Sequence, residues 1–388
     1  MIYLDNAATT PVLDEVLNEM LPYLRENYGN PSSIHRLGRQ ANNALELARK
    51  RIGNLINSND RVVFTSSATE ANNLALKGLA HTMRAKGNHI ITSSVEHEAV
   101  LEPCKKLERE GFKITYLPVD RYGMVDLEAL EQSISDNTIL LSIMFANNEV
   151  GTLQPMKKIA EIAHRHNITF HTDAVQAVGK IPVDVKDLGI DLITLSAHKM
   201  YGPKGVGALC IGSDVRIEPM MHGGGQENEI RSGTQNVAGI VGMGKAAEVA
   251  LQKIDLYSVQ VRNLRDFLID NVSKEIQHSR LNGHPEHRLP NNAHFTFLGV
   301  NGEDLIIKLD EGGIAASTGS ACSVQKQKAS HVLKAMGFTH EEITGSLRLT
   351  LGLENTSHEI EQTVNSLANI VHELREFSPY KFKYAMNQ

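Results

Sequence analysis

Cysteine is scarce in this chain: 388 residues hold three, Cys104, Cys210 and Cys322, set far apart. So odd and sparse a set excludes a disulfide framework and fits a reducing compartment, which makes the cytoplasm the expected location. There is no CxxC pair or Cys/His cluster, and no metal site is expected. Positive charge is not in excess. A formal net charge of -6 leaves no electrostatic footprint for nucleic acid and has the wrong sign for an anionic membrane surface. No apolar run approaches the roughly 20 residues that cross a bilayer. The opening Met1-Ile-Tyr-Leu-Asp5 lacks a basic stretch followed by an apolar one, so no signal peptide is expected. Internal repeats and low-complexity segments are also missing.

What is present is ordinary globular material, 41% hydrophobic and 22% charged, which argues for a folded chain. Its length exceeds one ordinary core, so two domains are expected. Short β-branched runs at 61–65, 89–92, 113–117, 139–144, 169–172, 192–195 and 207–211 alternate with stretches of helical spacing such as 70–85, 98–110 and 156–166. That alternation predicts an α/β fold, a mostly parallel seven-stranded sheet flanked by helices. After His222 the texture changes to a glycine-rich loop and a long helical region, 237–276. Strand candidates at 294–297 and 346–351 and a last helix near 357–377 follow. These suggest a smaller α+β domain joined by the N-terminal segment. The expected division is 14–255 for the large domain, and 1–13 with 256–388 for the small one.

Parallel sheets bind ligands beyond the carboxyl ends of their strands, and polar groups gather there. The run 61–65 leads into Ser67-Ala-Thr-Glu70, an S-x-x-E capping box whose plainest role is to start a helix. Free N–H groups at such a start also cradle phosphate. The run 169–172 leads into His171-Thr-Asp173-Ala-Val-Gln176, and 192–195 into Ser196-Ala-His-Lys199. Alone, the aspartate is a helix cap and the lysine a solvated surface residue. Together with the phosphate-type turn they supply the parts of a pyridoxal phosphate site. Lysine forms the Schiff base, aspartate keeps the pyridine nitrogen protonated, and the turn holds phosphate.

Further segments stand in the same order as in a known family: Tyr3-Leu-Asp-Asn-Ala-Ala-Thr-Thr10, Tyr28-Gly-Asn-Pro-Ser-Ser-Ile-His35, Glu96-His97, Ala146-Asn-Asn-Glu-Val-Gly151, Gly223-Gly-Gly-Gln-Glu227, Arg231-Ser-Gly-Thr234, Gly319-Ser-Ala-Cys322 and Ser346-Leu-Arg348. With the three strand-end segments they make the chain resemble, nearly end to end, the NifS/IscS-type cysteine desulfurases, pyridoxal phosphate enzymes of the class-V aminotransferase family and of transferase fold type I. The resemblance implies that Lys199 carries the cofactor and that His97 stacks on its ring. Asp173 would meet the pyridine nitrogen and Gln176 the ring oxygen, while Ala68, Thr69, Ser196 and His198 hold the phosphate. Thr234 is implied to reach the phosphate of a second subunit, which makes a homodimer with shared sites. Asn148 and Arg348 would orient L-cysteine, Arg348 gripping its carboxylate, and Asn30 would assist.

Cys322 decides the reaction. Packing is the usual role of a cysteine. It suits Cys210 and Cys104, but not Cys322 in its small, polar setting. The resemblance implies that L-cysteine displaces Lys199, that the freed amine takes the Cα proton, and that the Cys322 thiolate attacks the substrate sulfur. Alanine and a persulfide on Cys322 result. An ordinary lysine, with a pKa of about 10.4, and an ordinary thiol, about 8.5, would both need their pKa values lowered for this work. Lys326 and Lys328 could assist the thiol or simply be solvated, and the loop 317–330 is the candidate sulfur carrier. Sulfur would pass to a protein acceptor such as an iron–sulfur cluster scaffold or a tRNA thiolation enzyme. A selenocysteine lyase or another pyridoxal lyase of the same fold is the alternative, needing Lys199 but not Cys322. A cofactor-bound scaffold for a sulfur-transfer complex is a second alternative. Two features depart from the family: the acidic Glu227-Asn-Glu-Ile230 and Leu353 where an arginine is common. The tail Tyr380-Lys-Phe-Lys-Tyr384 reads as a frayed end or a docking segment for the acceptor.

Overall fold

The computed structural model describes residues 1–319 and 329–378. In chain order the strands are β1 (Ile2–Tyr3), β2 (Arg61–Thr65), β3 (His89–Ser93), β4 (Lys113–Leu117), β5 (Thr138–Ser142), β6 (Thr169–Asp173), β7 (Leu192–Ser196), β8 (Gly207–Ile211), β9 (Ser279–Asn282), β10 (Asn292–Phe297), β11 (Ile314–Ala315) and β12 (Ser346–Thr350). Seven of them form one sheet in the order β2-β8-β7-β6-β5-β3-β4. Its strands run parallel except β8, which is antiparallel to both neighbours. The link from β7 to β8 holds no crossover helix, and without one a strand can only return antiparallel.

Every residue of β3, β5, β7 and β8 is buried, and their apolar runs carry side chains to both faces. Strands covered on both faces by helices read as continuous hydrophobic runs, unlike the alternation of a half-solvated sheet. One apolar core packs helix Arg36–Leu55 and the first turns of Val237–Leu256 against one face, and the other joins the residues 71–80 to Val100 and Leu107 of helix Glu98–Arg109.

A separate core gathers Tyr257, Leu268, Phe295, Phe297, Leu347, Leu349 and Leu367 around the three-stranded antiparallel sheet β12-β10-β9. Leu4 belongs to this core, and β1 pairs with β11, so the N-terminus packs with the C-terminal half. The expected helix 237–276 is helical throughout, with one widened turn at Tyr257–Val261, where its contacts pass from the first core to this one. On these grounds we propose the division 14–255 and 1–13 with 256–388.

The acidic Glu227 is an interior residue, 4% exposed. Its carboxylate accepts from both terminal nitrogens of Arg49 at 2.7 and 2.8 Å and from the Phe64 amide of β2 at 2.9 Å. To reach them, Glu227, Asn228 and Glu229 all take left-handed backbone conformations, with φ of 48°, 55° and 67°. The pair fastens the loop before Arg231 to the edge of the sheet. Removing Glu227 takes from Arg49 its buried bidentate partner and leaves it only the exposed Glu46, so Glu227→Ala should destabilise the fold by about 2 kcal/mol. Chemical denaturation would read this, and an unchanged midpoint would refute it.

Candidate active site

The carboxyl ends of the parallel strands deliver their terminal residues to one cavity of about 700 Å³, in the size range of sites that enclose a cofactor. Lys199 enters from the tight turn Ala197–Lys199 that follows β7. Its Nζ donates to the backbone carbonyls of Ala7 and Ala8 at 2.5 and 2.6 Å. The N-terminal segment therefore forms one wall.

Asp173 ends β6 and is 8% exposed. One carboxylate oxygen accepts from the Asn72 side chain at 2.7 Å and the other from the Val175 amide at 3.1 Å. This fixes the carboxylate toward the cavity it lines. Ser67 caps the helix starting at Ala68, its hydroxyl accepting from the Glu70 amide at 3.2 Å. The expected reciprocal box is not formed. Glu70 reaches Ser66 instead, and it also accepts from Arg231. The amides of Ala68 and Thr69 head a helix and have no acceptor within it. A Cβ on Gly207 of the adjacent β8 would stand 2.5 Å from the Ser67 carbonyl carbon and 2.7 Å from the Ala68 nitrogen. Only glycine lets β8 lie against this turn. Ser196 and His198 complete the wall, and burial holds His198 neutral with its pKa near 4.

His97 caps helix Glu98–Arg109 by accepting the Ala99 amide at its Nδ1, 3.1 Å away. A nitrogen that accepts is bare, so the proton sits on Nε2. Burial lowers its pKa, against the opposing pull of Asp173. Arg348, on β12, crosses to the same cavity. It donates to Asp5 at 2.9 Å and to the Asn148 carbonyl at 2.8 Å, while its buried Nε has no partner among the described residues. An unpartnered, buried guanidinium N–H is the feature that an added carboxylate would satisfy.

Lys199, His97, Asp173, Gln176, Ala68, Thr69, Ser196, His198, Asn148 and Arg348 thus line one cavity. Asn30 and Thr234 do not: both are exposed on this chain. Cys322 lies outside the described residues, as do Lys326, Lys328, most of the loop 317–330 and the tail from residue 379. Cys104 and Cys210 are buried free thiols, the first pushed up to about 12 by burial, as packing residues would be. His164 and His166 are exposed and lie beside Asp191 and Glu131. The acidic stretch 184–191 does structural work: Asp184 caps helix Val185–Leu188, and Asp191 accepts from the Phe170 amide.

Several residues in and around the site were given no role by the sequence, although Glu96 and Glu149 stand in its motifs. Asn72 sits in a helix and is unremarkable until Asp173 meets it. Glu96 is fully buried, accepting from Ser93 and from the Met144 amide, while its carbonyl accepts from His331 in the cavity wall. Glu149 lies next to Asn148 and accepts from Ser330 at 2.5 Å.

These residues fit pyridoxal phosphate: a lysine amine in the cavity, a buried carboxylate fixed by Asn72, and a backbone turn kept open by Gly207. The comparisons agree. Residues 2–363 match the family model for class-V aminotransferases. The chain is 51% identical to the cysteine desulfurase IscS of Dictyoglomus turgidum, over all of this chain and 98% of that protein. A solved NifS-like protein superposes with a TM-score of 0.90 at 40% identity, over 96% of this chain and 100% of that one. The solved SspA in complex with cysteine superposes with a TM-score of 0.81 at 37% identity, over 90% and 99%.

Burial pushes the Glu96 carboxyl up to about 8, so the folded chain keeps a proton there that the unfolded chain releases near pH 4.5. The stability this contributes is complete below the ordinary carboxyl pKa and is lost as pH rises through about 8. Relative to wild type, Glu96→Gln should therefore gain about 1.4 kcal/mol per pH unit across that window and level off above it. Denaturation series from pH 5 to about 9 would test this, and parallel curves would exclude it.

Proposed function

The chain belongs to the class-V aminotransferase family, and from that premise we propose the residue roles by which it works as a pyridoxal phosphate-dependent cysteine desulfurase. The observation that carries the assignment is the convergence of Lys199, Asp173 and Arg348 on one cavity from β7, β6 and the separate β12 sheet. When bound, pyridoxal phosphate supplies an aldehyde carbon for the lysine amine and a ring that stores an electron pair. Asp173 would pair with the ring nitrogen and keep it protonated, while the Ala68 and Thr69 amides, Ser196 and His198 would hold the phosphate. His97, whose Nδ1 accepts the Ala99 amide, would stack on the ring.

L-cysteine is the proposed substrate. Arg348 takes its carboxylate through the unpartnered Nε, and Asn148, whose carbonyl already holds Arg348, steadies that grip. Lys199 Nζ removes the Cα proton. The Cys322 thiolate attacks the substrate sulfur, the S–S bond forms as the Cβ–S bond breaks, and that bond's electron pair stays on carbon to be protonated. Alanine leaves and the persulfide remains on Cys322. It passes to a protein acceptor, an iron–sulfur scaffold or a thiolation enzyme.

The working unit is proposed to be a cytoplasmic homodimer. Leu17, Leu21 and Leu24 expose an apolar stripe on helix Asp14–Arg25, next to Tyr28 at 70% and Ile34 at 90% exposure. Asn30 follows that stripe, so the same face would bring Asn30 to a partner's cavity, with Thr234 reaching it from the loop after Arg231. The unpaired thiols Cys104 and Cys210 support a reducing compartment.

Alanine release from L-cysteine is the test. Lys199→Ala and Cys322→Ala should each abolish sustained turnover, and full turnover by Cys322→Ala would refute the persulfide route. Arg348→Lys, which loses the planar fork, should lower kcat/KM about a hundredfold, mostly through KM. An unchanged KM would remove Arg348 from the carboxylate site.

A further inference from the structure

One buried cation has no part in the chemistry above. Lys180, in the turn after β6, is 1% exposed, and its amine donates to the Gln176 carbonyl at 3.1 Å and to Gln176 Oε1 at 3.0 Å. Among the described residues no carboxylate pairs with it. An ammonium kept inside without a counter-ion is costly. Burial, with the charges of Lys199 and Arg348 nearby, brings its pKa down to about 7. A methionine or leucine would fill the same space at no such cost, so the amine must have a use.

Gln176 is the other half of the arrangement. Its side chain is 5% exposed and lines the cavity, and its Nε2 donates to the Ala7 carbonyl at 3.0 Å. That carbonyl also accepts from Lys199 Nζ. A side-chain amide can turn end for end with almost no change in shape. Here the neighbours oppose it: the Lys180 amine, charged or neutral, has a hydrogen for each of the two Gln176 oxygens and so holds Oε1 toward itself, and a backbone carbonyl only accepts, so Nε2 faces Ala7. Nε2 carries two hydrogens. Ala7 takes one and leaves the second for the cavity, beside the lysine nitrogen.

We infer that Lys180 is a positioning residue: it locks the Gln176 amide with its N–H toward the cofactor's ring oxygen. Without it the Ala7 carbonyl alone orients the amide, and the N–H offered to that oxygen is held less firmly. The oxygen then becomes more basic and holds the proton that it shares with the Lys199 nitrogen more tightly. The inference rests on the cofactor assignment above and extends it to a residue that does not touch the ligand.

The test uses the resting holoenzyme without substrate. The pH midpoint of the bound cofactor's absorbance change and the Kd for pyridoxal phosphate are measured for wild type, Lys180→Met, Gln176→Leu and the double variant. Lys180→Met should raise the midpoint by about one unit and weaken cofactor binding about fivefold to tenfold. Gln176→Leu should move the midpoint in the same direction, and adding Lys180→Met to it should add little, as for two residues acting through one contact. Lys180→Gln, which keeps a donor, should lie nearer wild type than Lys180→Met. An unmoved midpoint in a folded Lys180→Met protein, or a full additive shift in the double variant, overturns the role. Should Lys180→Met fail to fold, an unmoved midpoint in Gln176→Leu overturns it alone. A wild-type chain with no cofactor band would instead overturn the cofactor assignment itself.

Discussion

The site is organised around the seam between the turn carrying Lys199 and the N-terminal segment, where the Thr10 amide donates to the His198 carbonyl at 2.9 Å and the Ala7 and Ala8 carbonyls face Lys199 Nζ. The lysine comes from the end of a strand in the large sheet. The carbonyls come from the N-terminal segment, which pairs through β1 with β11 and packs through Leu4 on the other core. Two hydrophobic cores are thereby registered against each other at the point where chemistry occurs. Arg348 repeats the link from the other side, running from β12 to Asp5 and to the Asn148 carbonyl. Backbone carbonyls cannot move without the strand that holds them, so these polar contacts transmit the rigidity of the sheets to the cavity.

Around that contact the protein buries charge-bearing groups with few counter-ions, and the resulting pKa shifts follow from desolvation. Glu96 is pushed up toward neutrality, while His171 and His294 are pushed down to about 3 and stay neutral. The two rings make contacts that suit a neutral imidazole: His171 with Ser142 and Thr194, His294 with Asn282. The effect is a wall of polar groups with little net charge of its own. The fixed charges of Asp173, Lys199 and Arg348 act against it in a medium of low polarisability, where each is stronger than in water.

Much of this was legible in the residues. The seven β-branched runs correspond to the seven strands of the large sheet, because most of its strands are buried on both faces and draw on apolar, β-branched residues to fill them. Asp173, Ser196 and Lys199 could be placed at the cavity because each follows a strand directly, and parallel strands share one carboxyl edge. The reading faltered where a residue's role depends on a remote partner. Glu227 stood out only as part of an acidic departure from the family and is an interior residue, held by Arg49 across the fold. Glu70 looked like half of a capping box and serves Ser66 and Arg231. Asn72 and Lys180 carried no pattern, since a single polar residue in a helix or turn is common and only its neighbours give it meaning.

The sequence by itself determined the class of fold, the strand ends where polar residues would gather, and, through the order of its short motifs, the family and its cofactor. Those follow from local causes: apolar periodicity, turn chemistry and short-range spacing. Only the tertiary structure decided which polar groups meet. It set Asn72 against Asp173, Asp5 against Arg348, Lys180 against Gln176, and the Ala7 carbonyl between Lys199 and Gln176. The physical reason is that a hydrogen bond is satisfied within about 3 Å in space, and separation along the chain says nothing about that distance until two cores have packed.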